Sequence, residues 1–153
     1  NTLQIESQRR VPVAQVRLGS WFPVDRDGYV LPEGTPAPRE RLVVLKGVER
    51  VQAPLKPGQQ KQGEAMERAL RLLERLQRAP ELAGHRVSAL DVSDPDQLLF
   101  VMDDDVEVRC GGEEDLSMHL HRLREVLKQI ASHSLAVRYI DVRFQDPVIA
   151  PRT

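Results

Sequence analysis

Cys110 is the residue whose type and neighbours come closest to a reaction centre. It stands directly before Gly111 and Gly112, and a thiol beside a flexible glycine pair could act as a nucleophile next to backbone N–H groups. A cysteine nucleophile also needs a group that favours the thiolate, and no spacing in the sequence designates a base. The pattern favours a half-buried structural thiol at the end of a strand.

Four histidines and an acidic cluster are the candidate metal ligands. On a helix, His119 and His121 point about 200° apart and cannot share a metal ion. His85 and His133 add no ligand spacing, so all four are predicted to be ordinary surface histidines. The cluster of Asp103, Asp104 and Asp105, with Glu107 nearby, lacks the spaced ligands and central glycine of a calcium loop and predicts a solvated turn.

Other catalytic signatures do not occur in the sequence. Gly111 and Gly112 lie outside any phosphate-binding glycine motif, and Ser20, Ser88, Ser117 and Ser134 lie outside a nucleophile elbow. No pair of carboxylates is marked out for acid and base roles. The sequence therefore predicts a protein that is not an enzyme and has neither a cofactor nor a catalytic residue.

Composition and charge limit the partners further. Lys and Arg number 22 against 23 Asp and Glu, and this near balance disfavours nucleic-acid binding. Apolar residues make up 41% of the 153 residues, which is typical of a globular fold. No apolar run approaches the ~20 residues of a membrane helix. We expect residues 1–153 to form a single domain that was cut from a longer protein.

Strand patterns dominate the first third of the chain. Residues 1–48 are expected to be strand-rich, and residues 49–62 to form an irregular loop. Asp27 and Gly28 predict the turn of a hairpin, and three prolines within residues 32–41 predict a surface loop. The strand candidates are residues 3–6, 11–17, 21–24, 29–31 and 42–45.

Two amphipathic helices and a meander are predicted for residues 63–153. Apolar residues recur every three or four positions over about 63–78 and 115–132. Three strands between the helices, at 87–92, 97–102 and 106–109, are separated by acidic turns, and strands at 137–144 and 147–151 follow. The fold class is therefore α+β, with a mainly antiparallel sheet and both helices packed on one face.

The last strand has the features of a sheet edge. Val148, Ile149 and Ala150 are bracketed by Pro147 and Pro151, and proline is confined largely to edge strands because it cannot donate to a ladder. An edge presents backbone groups that a partner strand can use. A simple closing strand accounts equally well for these residues alone.

Several short patterns follow one another along nearly the whole chain. They are Arg10-Val11-Pro12-Val13-Ala14, Val24-Asp25 with Gly28, Leu45-Lys46-Gly47, Val106 to Gly111, and Tyr139-Ile140-Asp141-Val142-Arg143. In order and spacing they resemble the C-terminal extracytoplasmic β-domain of the FtsQ/DivIB family of bacterial division proteins. Cys110 stands where that family pattern has leucine.

The resemblance implies a non-catalytic scaffold of the divisome, the assembly that forms the septum. Such a domain would bind FtsB/FtsL-type partners by adding a strand to the end of its sheet. The residues carried over by the resemblance as partner contacts are Arg143, Phe144, Val148, Ile149 and Ala150. The full-length protein would be anchored in the inner membrane by one N-terminal helix outside this chain, with this domain on the periplasmic side at the division site.

Two other functions remain open from the sequence. The domain could bind unfolded polypeptides within an envelope transport or secretion assembly, and a β-barrel following it in the full-length protein would favour that function. It could also be a small hydrolase that uses Cys110, which thiol alkylation would test. The partner-capture hypothesis predicts that Arg143→Glu with Phe144→Ala weakens binding without changing the fold.

Overall fold

A computed structural model describes residues 10–49 and 63–152. The strand predicted at residues 3–6 lies outside these residues, as does nearly all of the loop predicted at 49–62. Every strand of the described part belongs to one eight-stranded sheet, in the order β2-β1-β3-β4-β5-β6-β7-β8. The strands are β1 Pro12–Leu18, β2 Ser20–Asp25, β3 Val43–Lys46, β4 Val87–Asp91, β5 Leu98–Met102, β6 Glu107–Cys110, β7 Val137–Asp141 and β8 Val148–Pro151.

The first hairpin differs from the predicted one. β1 and β2 pair antiparallel through a tight turn at Gly19, whose φ of 80° suits glycine. The chain does turn back at Asp27 and Gly28, but residues 29–31 form only an isolated bridge between Val30 and Val24. The prediction of a hairpin there was therefore only partly right, because residues 29–31 return along β2 without forming a strand.

Both predicted helices are present. α1 spans Glu64–Arg78 and α2 spans Leu116–His133, each within a residue or two of the bounds predicted from periodicity. Short 3₁₀ turns follow α1 and precede α2. The predicted meander is confirmed as well, since β4, β5 and β6 pair antiparallel in sequence order.

The two helices cover the same face of the sheet. α1 connects β3 to β4 and α2 connects β6 to β7, and both pairs are parallel. The sheet order places both crossovers in the same direction from strands that run the same way. Crossovers of one hand then lie on one face. The prediction of an α+β fold with a mainly antiparallel sheet and two helices on one face is confirmed.

A row of paired apolar side chains runs across the sheet beneath the helices. Its members are Leu45, Leu90, Phe100, Val108, Ile140 and Ile149, each directly opposite the next on neighbouring strands. The first five are buried and Ile149 is partly buried. The core is thus continuous from β3 to the last strand, and it fixes the position of β8.

Candidate partner-binding edge

The sheet ends at β2 on one side and at β8 on the other, and these two edges differ. Residues 29–35 fold back along β2. Trp21 and Thr35 exchange backbone hydrogen bonds of 2.8 and 2.9 Å, and the Leu31 N–H donates to the Pro23 carbonyl at 2.8 Å. The outer backbone groups of β2 are therefore already occupied.

β8 is paired on one side within the described residues. It lies antiparallel to β7, with Tyr139 opposite Ala150 and Asp141 opposite Val148. In residues 10–49 and 63–152, no strand occupies its outer side. Such an edge presents unpaired N–H and C=O groups that can pair with another chain.

The connection between β7 and β8 is fixed from two directions. The Val142 N–H donates to the Arg109 carbonyl on β6 at 3.0 Å. The Val142 carbonyl accepts from Arg122 Nη1 on α2 at 3.1 Å, and the Val142 side chain is fully buried. The chain therefore leaves β7 in a defined direction, and this direction sets where Arg143 and Phe144 lie.

Asp141 and Arg143 form a side-on ion pair at the start of this connection. Arg143 Nε donates to Asp141 Oδ1 at 2.9 Å and Nη2 donates to Oδ2 at 2.6 Å. Asp141 Oδ1 also accepts the Arg143 backbone N–H at 3.1 Å. The hydrogen bond from Arg143 holds the pKa of Asp141 below its ordinary value, and the same bond raises the pKa of Arg143.

The predicted contact residues lie together but in different settings. Arg143 and Phe144 were predicted at the end of a strand; they belong instead to the connection, because β7 ends at Asp141. Phe144 is 56% exposed, and its ring centroid lies 5.4 Å from the Arg143 guanidinium. Val148 is 46% exposed, whereas Ile149 is partly buried and Ala150 is buried.

Asp141 is the functional candidate that the sequence analysis did not single out. It belongs to the Tyr139–Arg143 pattern, and its spacing of two residues from an arginine was the available signal. A carboxylate that accepts the backbone N–H two residues further on, as Asp141 does from Arg143, holds that residue beside it in a local turn. An acidic and a basic side chain at that spacing can therefore meet, as these two do.

His119 is buried, so its assignment as a surface histidine was wrong. Its Nδ1 accepts the Gly111 backbone N–H at 3.1 Å, which ties the end of β6 to the first turns of α2. Burial is the main cause that lowers the pKa of His119, and the nearby Arg122 lowers it further. Added side-chain atoms at Gly111 would meet the imidazole, since a Cβ there would lie 2.8 Å from His119 Cε1.

Cys110 is fully buried rather than half-buried. Burial raises the pKa of its thiol to about 12, with a smaller contribution from the Asp141 charge. The thiolate that a cysteine nucleophile needs is strongly disfavoured in this setting. The described part of the chain holds no group of three or more His, Cys, Asp or Glu arranged to bind a metal ion.

The fold is an α+β domain, and its exposed sheet edge is a surface to which an extended segment can add as a further strand. Residues 13–143 match the family described as "Cell division protein FtsQ/DivIB, C-terminal". The chain belongs to the FtsQ/DivIB family of cell division proteins. The matched segment ends at Arg143, within the connection between β7 and β8.

A curated relative, "Cell division protein FtsQ" of Syntrophotalea carbinolica, is 31% identical over 148 residues. The alignment covers 96% of this chain and 51% of the relative. The chain therefore spans about half the length of this relative. No helix in the described residues is long and apolar enough to cross a membrane.

Proposed function

We propose that this domain is a non-catalytic divisome scaffold that captures FtsB/FtsL-type partners by adding a partner strand to β8. The observation that carries the proposal is the contrast between the two sheet edges. The β2 edge is occupied by residues 29–35, and the β8 edge is unpaired within the described residues. Membership in a cell division family favours this function over a role in envelope transport.

Phe144 and Val148 supply the apolar part of the proposed site. Both are about half exposed and flank the connection into β8. An added strand would run beside Val148, and a partner side chain could cover the Phe144 ring. Aromatic residues that become fully buried at the centre of an interface commonly dominate its binding energy.

Arg143 supplies the polar part of the proposed site, and Asp141 holds its guanidinium in position. The ion pair uses Nε and Nη2, and Nη1 takes no part in it. A partner carboxylate can therefore bind the free end of the guanidinium while Asp141 keeps its side. Because Asp141 already holds the side chain, less conformational entropy is lost on binding.

For the full-length protein, we propose a periplasmic location of this domain at the division site. A single N-terminal helix outside this chain would anchor the protein in the inner membrane. Sequencing the gene on both sides of residues 1–153 tests this placement directly. One membrane helix followed by a small domain is the expected finding, and a β-barrel after this domain would contradict it.

The test of the site is the double variant Arg143→Glu with Phe144→Ala. It reverses the free charge and removes the exposed ring, so capture of an FtsB/FtsL-type complex should weaken by at least about a hundredfold. Binding is measured by calorimetry, and folding by the thermal unfolding midpoint. We expect the midpoint to fall, because Asp141 loses its arginine and faces a second carboxylate in its place.

The matched control is Arg26→Glu with Val11→Ala. Arg26 and Val11 are exposed and lie near the opposite edge of the sheet. This pair makes the same charge reversal and also removes some exposed apolar surface, at a place that the proposal leaves unused. Equal loss of binding in the two double variants, or unaltered binding in both, would remove the assignment of the site to β8.

A further inference from the structure

The backbone groups of β8 point alternately toward β7 and away from it, and one contact fixes which is which. The Arg152 N–H donates to the Ala136 carbonyl, beside the start of β7, at 2.9 Å. In a trans peptide the C=O points opposite to the N–H of the following residue. The Pro151 carbonyl therefore points outward, away from the sheet.

The hydrogen bonds of β7 independently indicate which positions of β8 face outward. The Val142 N–H donates to β6, so Asp141 and Tyr139, at alternate positions, direct their backbone groups toward β8. Their partners Val148 and Ala150 then face β7. The outward positions of the last strand are consequently 147, 149 and 151.

Two of these three outward positions are prolines, which have no N–H. The edge therefore presents three carbonyl acceptors, on Pro147, Ile149 and Pro151, and a single donor, the Ile149 N–H. A prolyl ring placed at 148 or 150 would instead remove a hydrogen bond to β7. The prolines thus stand where they limit pairing with another chain and leave the sheet of this chain intact.

The donor shortage has different consequences for two kinds of partner. A foreign strand without proline at the facing positions can form four hydrogen bonds, by donating to all three carbonyls and accepting from Ile149. A second copy of this edge, paired antiparallel about Ile149, can form two. In that arrangement Pro147 of each copy faces Pro151 of the other, and neither donates.

We propose that Pro147 and Pro151 make the β8 edge selective for a foreign extended segment and disfavour pairing between two copies of this domain. The choice of a division protein as that segment rests on the proposed function above. The bias against a second copy rests on the backbone directions alone. Prolines on an exposed edge are a known protection against edge-to-edge association.

The test restores the missing donors with Pro147→Val and Pro151→Val. By the same count, two copies of the single variant Pro151→Val can form four hydrogen bonds, and two copies of the double variant can form six. Self-association is measured by analytical ultracentrifugation over a concentration series. We expect a monomeric parent and a dimerisation constant that is tighter by about a hundredfold or more in the double variant.

The control variant is Pro36→Val with Pro38→Val, which changes two exposed prolines in the loop beyond β2. It should remain monomeric. A parent domain that dimerises through β8, or variants at 147 and 151 that stay folded and monomeric at the same concentrations, would overturn the proposal. If the double variant does not fold, Pro151→Val alone decides, since it keeps Pro147 and still doubles the bonds between copies.

This experiment contains no division protein, so its failure is separate from failure of the proposed function. Dimerisation of the variants together with no capture of FtsB/FtsL-type partners by the parent would support the edge chemistry and remove the partner. Capture of these partners by the parent, together with variants that stay monomeric, would support the proposed partner and remove the role of the prolines.

Discussion

Replacing Asp141 by asparagine tests how the Arg143 side chain is held. The substitution keeps the shape of the side chain and removes its charge. The Asp141 side chain is 6% exposed and that of Arg143 is 29% exposed, so the pair is less screened than a surface ion pair, which contributes about 0.2–1 kcal/mol. Hydrogen bonds to charged groups contribute about 1.5–3 kcal/mol, and we expect a loss of this size in the free energy of unfolding.

The pH dependence of this loss has a definite sign. Because the folded pKa of Asp141 is lowered, its contribution is complete above the unfolded value of about 3.9 and disappears as the pH falls through the folded pKa. The difference between parent and Asp141→Asn should therefore be largest near neutral pH and close to zero in acid.

Urea unfolding at a series of pH values measures both quantities. In a thermal melt at neutral pH, the expected loss corresponds to a decrease of roughly 3–12 °C in the unfolding midpoint for a domain of this size. A difference below about 0.5 kcal/mol at neutral pH would show that the pair contributes no more than an exposed one. A difference that stays constant into acid would show that the Asp141 charge is not its cause.

Two further predictions concern His119 and Gly47, which lie outside the proposed site. Because burial lowers the pKa of His119, the unfolded chain takes up a proton first, and the stability of the parent should fall as the pH drops below about 6.5. His119→Asn keeps an acceptor for the Gly111 N–H and should make the melting temperature depend less on pH in this range. An unchanged dependence would show that other groups cause it. Gly47→Ala should lower the free energy of unfolding by more than the ~1–2 kcal/mol of a positive φ, because its Cβ would lie 2.4 Å from the Ser93 backbone nitrogen. Gly84→Ala, at nearly the same φ but with open space around it, should lower it only by that amount. Chemical unfolding measures both losses, and equal losses would contradict the close approach.

Periodicity predicted the helices and the meander well because these elements are local. The apolar stripes of α1 and α2 and the acidic turns between β4, β5 and β6 are each defined within about 15 residues. The position of β3 between β1 and β4 was not predictable in this way. Parallel pairing joins distant segments, and no short pattern in the chain specifies which strands become neighbours.

In the candidate site, too, local features were predictable from the sequence and long-range ones were not. Pro147 and Pro151 indicated an edge from the sequence alone, and the resemblance added Arg143 and Phe144. The pairing register was needed to show that both prolines face outward, because a shift of one residue would turn them inward. The burial of His119 was missed because the histidines were assessed only for metal-ligand spacing; its position three residues after Leu116 and four before Leu123 puts it on the apolar face of α2.

The Ile149 amide reports most directly on the proposed pairing of a partner strand with the outer side of β8. In the free domain this N–H points away from β7, so its hydrogen should exchange faster than those of Val148 and Ala150. Exchange measured by NMR with and without a bound FtsB/FtsL-type partner should show strong protection of Ile149 in the complex. Tight binding that leaves the exchange of Ile149 unchanged would contradict strand addition at this edge.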